Sequence, residues 1–446
     1  MMFNFIDRFK EYKDNVSIIW NDSMFTYVTL SNRIEKAIQF LRHNAINSGD
    51  VVALTGDFTP NTLAFLFALL ENKNIIVPLS FNSIEKDQIK QEVANVQTEI
   101  IINPLTDEFY LQNQNLNGKH ELYDIIRERK SPGLVLFTSG TSGKPKGAVH
   151  DLEKLLKKFH NKRKAMSTIN FLLFDHWGGL NTMFHTLSNG GIVLSLRDRK
   201  PSTICELIEK HQIELLPASP TFLNLLLISE EYKKFDLSSL KLITYGSEPM
   251  PLSTLDRLRN TFPHVGLQQT YGLIELGVLR SKSKDDNSLW VKIGGEGYET
   301  RVVNNLLEIK ADSAMLGYLN ATSPFTDDGW FMTGDEVEVD GEYIKILGRK
   351  SEIINVGGEK VYPTEVENVI HGIKNIAEVR IYGEKNSIMG NIICAQIRLI
   401  EPEVKSEFIT RLKIYCRSKL EPFKIPVRIF IDENDQFNDR FKKKRF

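Results

Sequence analysis

The sequence predicts an α/β protein: a large layered N-terminal α/β domain with a β-rich subdomain, followed by a small α+β C-terminal domain. Three observations predict it. Residues 1–130 alternate helical and strand patterns, and the alternation resumes from 151 to 245, as a mostly parallel sheet with crossover helices requires. From about 288 the chain turns to short alternating strands broken by glycine turns. After Gly348-Arg349, about a hundred residues mix strands with helices, a length that suits a separate small domain. The expected division is 1–347, with the β-rich part at about 288–347, and then 348–446.

In order along the chain, Ser31 to Arg42 carries apolar residues at helical spacing. Val51-Val-Ala-Leu-Thr55 reads as a buried strand and Asn61 to Glu71 as a buried helix. Ile75-Ile-Val-Pro-Leu79 and Glu99-Ile-Ile-Ile102 follow as strands. Beyond a glycine-rich loop, helices are expected at 151–165, 179–188, 202–211 and 220–229. Strands at 169–174, 191–196, 213–216 and 240–245 alternate with them. Trp290-Val-Lys-Ile-Gly-Gly295, Glu299-Thr-Arg-Val-Val303 and Leu306-Leu-Glu-Ile-Lys310 are the short strands of the β-rich part. The last part holds strands at 376–382 and 391–399 and helices at 363–371 and 403–420.

Bulk composition narrows the function. The chain has 446 residues, more than one ordinary core holds. Its 56 Lys plus Arg against 57 Asp plus Glu argue against a general nucleic-acid or membrane-surface role. Cys205, Cys394 and Cys416 are too far apart for a disulfide framework or a zinc pattern, and read as thiols of a reducing compartment. The N-terminus carries charges within its apolar stretch and shows no secretion signal; apolar runs such as Leu63 to Leu70 are too short to cross a bilayer. A cytoplasmic location is expected.

The loop after Leu134-Val-Leu-Phe137 carries the most information. It reads Thr138-Ser139-Gly140-Thr141-Ser142-Gly143-Lys144-Pro145-Lys146-Gly147. Glycines let backbone N–H groups approach a ligand, hydroxyls add donors, and two lysines add positive charge, so the loop suits a polyphosphate. It is not a Walker loop, because two residues rather than four separate Gly140 from Gly143-Lys144. A plain surface turn is the alternative reading.

This loop resembles the phosphate-binding signature of the adenylate-forming enzymes: acyl-CoA synthetases, adenylation domains of peptide synthetases, and luciferases. Further segments resemble other signatures of that family in the same order. In Gln268-Gln-Thr270-Tyr271-Gly272-Leu-Ile274-Glu275, the resemblance sets Tyr271 against adenine and gives Glu275 to Mg²⁺, with Thr138 as a second metal contact. Ile274 departs from the family's threonine. Gly246-Ser247-Glu248-Pro249 matches a segment near adenine and substrate. Trp330-Phe-Met-Thr-Gly-Asp335, followed by Gly348-Arg349, resembles the ribose-binding pair Asp335 and Arg349.

The same likeness marks Ser351 as the hinge of a mobile C-terminal domain, where the family has Asp or Lys. It places Gly357 and Gly358 at the thiol channel, where a simple hairpin turn is the alternative. In Phe441-Lys442-Lys443-Lys444-Arg445 it selects Lys442 as the active-site lysine, with Lys443 as the alternative and phenylalanine in the family's glycine position. Phe174-Asp175-His176-Trp177-Gly178-Gly179-Leu180-Asn181 aligns with the acyl-pocket border. There Asp175 could meet a substrate ammonium, a backbone amide or His176.

What the resemblance implies is ATP-dependent activation of a carboxylic acid to acyl-AMP, with pyrophosphate released, then transfer to the thiol of CoA. The implied cofactors are ATP, Mg²⁺ and CoA. Lys442, Glu275 and Thr138 are the catalytic residues so implied. Loading of a separate carrier protein, and a nucleotide-binding homologue without catalysis, are the alternatives.

Overall fold

The computed structural model describes residues 5–81, 84–114, 116–139, 144–279, 281–285, 288–387 and 389–432. Two seven-stranded sheets form the large part. One runs from edge to edge as 266–269, 242–245, 215–218, 167–169, 192–194, 16–20 and 23–26, parallel throughout except for the last hairpin. The other runs as 317–318, 145–151, 133–139, 75–80, 51–56, 98–102 and 109–113, parallel at its centre and antiparallel towards both edges. Central parallel strands are covered on both faces, which is why Val51–Gly56 is buried at all six positions.

Between the sheets lies a layer of helices. Helix Pro60–Glu71 starts with Thr59 accepting the N–H of Thr62 and proline in its first turn, and buries ten of its twelve residues. One apolar cluster joins its Leu63, Leu66 and Leu70 to Val52 and Leu136 of one sheet and Ile18 and Val193 of the other.

A third sheet, antiparallel, runs as 281–283, 291–293, 343–349, 331–340, 306–311 and 298–303. It extends past both ends of the expected 288–347, and the expected border at 347/348 falls inside strand Tyr343–Arg349. Beyond it, helices Pro363–His371 and Lys405–Arg417 accompany the sheet 376–386, 390–399, 428–431 around an apolar cluster of its own. That piece touches the large part where Asn224 Nδ2 donates to the Ala377 carbonyl at 2.9 Å.

The main departure from expectation follows the glycine-rich loop. A strand, Pro145–Asp151, comes next, pairing antiparallel with Gly133–Ser139, so the loop closes a hairpin. The expected helix 151–165 shrinks to Leu152–Leu156 and a turn at Lys157–Phe159. Leu152, Leu155, Leu156 and Phe159 are buried, but 160–165 offers almost nothing apolar to continue the stripe. The expected strand 169–174 is Ser167–Ile169, leaving the residues after it to turn into the site.

Candidate active site

A cleft of about 350 Å³ opens at the carboxyl ends of the parallel strands 215–218 and 242–245. Ligands of open α/β sheets sit at such strand ends. It gathers Thr138, Lys146, His176, Trp177, Gly178, Gly246, Ser247, Thr270, Gly272, Glu275 and Arg349 from the expected site residues. Gly140 to Gly143 and Lys442 lie outside the described residues.

Thr138 and Lys146 face each other on one rung of the glycine-loop hairpin, with Ser139 opposite Pro145 and Lys144 exposed at the turn. The Lys146 ammonium lies 5.7 Å from the centre of the Tyr318 ring. Tyr318 belongs to the edge strand paired with the hairpin, and its hydroxyl donates to Glu275 Oε1 at 2.5 Å. Burial, then the Glu275 charge, push the Tyr318 phenol far above its ordinary range, so it remains a donor. Glu275 sits in the turn between strands 271–273 and 277–279.

The sugar-binding pair expected from the sequence lies on a single rung. Asp335 is opposite Arg349 across strands 331–340 and 343–349, with Nε 3.5 Å from Oδ1. Tyr271 donates its hydroxyl to Asp335 Oδ2 at 2.5 Å, and the Asp335 N–H donates to Thr333 Oγ1 at 3.0 Å. Burial raises the pKa of Asp335 against the opposing pull of Arg349 and Tyr271. Burial disfavours the Arg349 charge, but Asp335 and Glu275 outweigh it and hold the guanidinium above its usual range. Tyr271 is thus a buried support for Asp335, packed with Leu279 and Phe331, and does not line the cleft.

The Gly246 turn is set by close approach. A Cβ there would fall 2.5 Å from both the carbonyl and the hydroxyl of Thr270, which are tethered because Thr270 donates from N and Oγ1 to the Tyr245 carbonyl. Ser247 has φ +69°, a strained conformation for a residue with a side chain. Glu248 and Pro249 turn away: Glu248 accepts the Thr221 N–H at 3.0 Å, and both border a separate 30 Å³ cavity beside Ala377 and Arg398.

His176 caps helix Trp177–Ser188, its Nδ1 accepting the Gly178 N–H at 3.1 Å. The neutral ring therefore carries its proton on Nε2. Asp175 pairs with a residue the sequence reading did not name. It does not line the cleft: its carboxylate lies 3.4 Å from the Lys90 ammonium, which also meets Asp87 at 2.9 Å. Ser351 lies in the turn Lys350–Glu352. Gly357 and Gly358, with φ of +60° and +93°, make a two-residue turn between 354–356 and 359–361 and are not cleft residues.

The sequence reading missed Tyr318, Thr182 and the strand end Pro217-Ala218, and held Asn181 only as the last residue of the segment from Phe174. Tyr318 had no signal beyond a Gly-Tyr pair. Among the described residues no three His, Cys, Asp or Glu gather as a metal cage. A single carboxylate near a hydroxyl suits a magnesium ion held largely by nucleotide phosphates.

A family model described as AMP-binding enzyme matches residues 5–312. This chain belongs to that family. Indoleacetate–CoA ligase of Aromatoleum aromaticum is 24% identical over 463 residues, covering 92% of this chain and 89% of its own. 2-Succinylbenzoate–CoA ligase of Bacillus subtilis is 23% identical over 473 residues, covering 94% and 91%. Among solved structures, the anthranilate CoA ligase AuaEII in complex with anthranoyl-AMP superposes with a TM-score of 0.83 at 18% identity, over 99% of this chain and 96% of that one. ATP-bound MatB from Rhodopseudomonas palustris gives 0.81 at 20%, over 98% and 96%. The family's layered architecture is the fold of this chain.

Proposed function

We propose that this chain is an AMP-forming acid–thiol ligase: it joins a carboxylic acid to AMP at the expense of ATP, releases pyrophosphate, and passes the acyl group to the thiol of CoA. One observation carries the reading. Thr138 and Lys146, on the strands flanking the glycine-rich loop, meet Glu275 and the Arg349 end of the Asp335–Arg349 rung in a single cleft. The names of the relatives, CoA ligases for aromatic and other acids, agree with it.

A carboxylate acylates poorly because oxide would have to leave. In the first step its oxygen bonds to the α-phosphorus and the bond to pyrophosphate breaks, so the acyl carbon gains AMP as a leaving group. Such transfer depends on alignment and charge neutralisation rather than on a protein nucleophile. Thr138 and Lys146 would hold phosphate oxygens, while Arg349, paired with Asp335, would orient the ribose. Glu275, held by Tyr318, with Thr138 would bind Mg²⁺, whose charge offsets that of the triphosphate. In the second step the thiol sulfur bonds to the acyl carbon and AMP departs. We assign Lys442 to the first step, the Gly357-Gly358 turn to the second, and the pivot between them to 349–351. The reaction is placed in the cytoplasm, in keeping with three buried free thiols.

The test is ATP–pyrophosphate exchange across a panel of carboxylic acids, followed by mass spectrometry of CoA and carrier-protein thiols. Acid-dependent exchange and an acyl-CoA product are expected. No exchange with any acid refutes acid activation, and acylation of a carrier protein without acyl-CoA refutes the acceptor. Lys442→Ala should abolish exchange yet leave thioester formation from preformed acyl-AMP; loss of both refutes its assignment.

A further inference from the structure

The charged residues lining the cleft, Lys146, Glu275 and Arg349, all belong to the phosphate-and-sugar end. The cleft is also walled by Leu172, Trp177, Gly178, Asn181, Thr182 and Val278, none of which carries a full charge. With Asp175 turned to Lys90, no carboxylate serves a substrate ammonium there. A bare charge on the acyl group would lie buried without a counter-ion, which is costly.

The polar groups of this wall are not equivalent. Thr182 donates its hydroxyl to the Gly178 carbonyl at 2.9 Å and is satisfied within its own helix. Trp177 is 2% exposed, and its indole edge packs on Gly277, where a Cβ would come within 3.1 Å of Nε1. Trp177 Nε1 has no hydrogen-bond partner among the described residues but is closed off from the cleft, and Asn181 is the remaining polar side chain of the wall. Its Oδ1 is closed off with no donor among the described residues, and its side chain makes no hydrogen bond to them. The NH₂ end is then the polar atom this wall can offer a ligand.

We propose that Asn181 sets substrate choice: the acid carries a neutral oxygen acceptor, a hydroxyl or a carbonyl, that takes a hydrogen bond from Asn181 Nδ2. This rests on the acid-activating reading above. The cleft is also small, near the low end of the roughly 300–1,000 Å³ usual for ligand sites, and the nucleotide must share it. A compact acid fits; a long acyl chain does not.

The experiment compares matched sets: benzoate, 3-hydroxybenzoate and isophthalate; hexanoate, 5-oxohexanoate and adipate. Pyrophosphate release is measured for the full chain and for Asn181→Leu, which keeps the branched outline and removes the amide. The wild type should prefer the hydroxy or oxo acid by roughly tenfold in kcat/KM, the worth of about one hydrogen bond, over both the plain acid and the dicarboxylate. Asn181→Leu should erase that preference while leaving the KM for ATP unchanged, which a merely structural role would not do. Equal rates for plain and oxygenated acids overturn the inference, as do preference for the dicarboxylates or an unchanged ratio in the variant. Those outcomes leave acid activation standing. Silence with every acid instead removes the acid-activation reading, and this inference with it.

Discussion

Gly246→Ala adds one methyl at the floor of the nucleotide cleft, and its consequence can be worked from the coordinates. The new Cβ would lie 2.5 Å from the Thr270 carbonyl oxygen, whereas ordinary contact begins at 3.4 Å, so about 0.9 Å must be found. Thr270 cannot easily yield: its N–H and hydroxyl both bind the Tyr245 carbonyl, at 2.7 and 3.0 Å. The displacement therefore passes to the Gly246-Ser247 turn, which lines the cleft and is already strained at Ser247. Overpacking of this kind costs about 1–3 kcal/mol of stability. A misplacement near 1 Å in a positioning site lowers rates by about a hundredfold. Acid-dependent ATP–pyrophosphate exchange, with thermal unfolding measured in parallel, reads both effects. Exchange within twofold of wild type, in a variant of undiminished stability, would refute the claim that glycine is needed here for close approach.

Three further outcomes follow from named contacts. Tyr318→Phe removes the 2.5 Å bond to Glu275, and exchange should fall roughly ten- to a hundredfold with little change in unfolding temperature; unchanged exchange at saturating magnesium would count against Glu275 being held by Tyr318. Lys90→Met takes the cation from buried Asp175 and Asp87 and should cost about 3 kcal/mol by urea unfolding, part of it restored by Asp175→Asn; an additive double variant would show that the pair is not coupled. His150 is wholly buried and held by desolvation at about 4, against 6.5 when exposed. Between those values the unfolded chain binds a proton that the folded chain does not, so stability falls as pH drops. The loss is about 1.4 kcal/mol per pH unit, roughly 3 kcal/mol in all. His150→Gln should flatten that slope in urea midpoints taken from pH 7 to pH 4, and parallel curves would exclude the histidine as the cause.

Much of the fold was readable because burial left simple patterns. Helix Pro220–Ser229 and helix Pro363–His371 fall where proline and apolar spacing put them. The hairpin strand Pro145–Asp151 was not, since its pairing with Gly133–Ser139 is a tertiary fact hidden behind a loop that reads equally well as the start of a helix. At the site, residues named from contiguous motifs, such as Thr138, Gly246 and Glu275, reach the cleft. Side-chain direction was what sequence could not supply. Asp175 and His176 are neighbours, yet one turns to Lys90 and the other to the cleft. Glu248 likewise leaves Ser247 to secure the start of helix Pro220–Ser229 through Thr221.

The rung that joins Asp335 to Arg349 ends its strand, and the next residue, Lys350, already belongs to the turn carrying Ser351. A swivel of the C-terminal piece that begins at Lys350 leaves this ladder whole and carries no strain back to Asp335. One that begins a single residue earlier must first unzip Arg349 from its partner strand. Where torsion enters the chain thus decides whether the Asp335–Arg349 rung feels the movement at all.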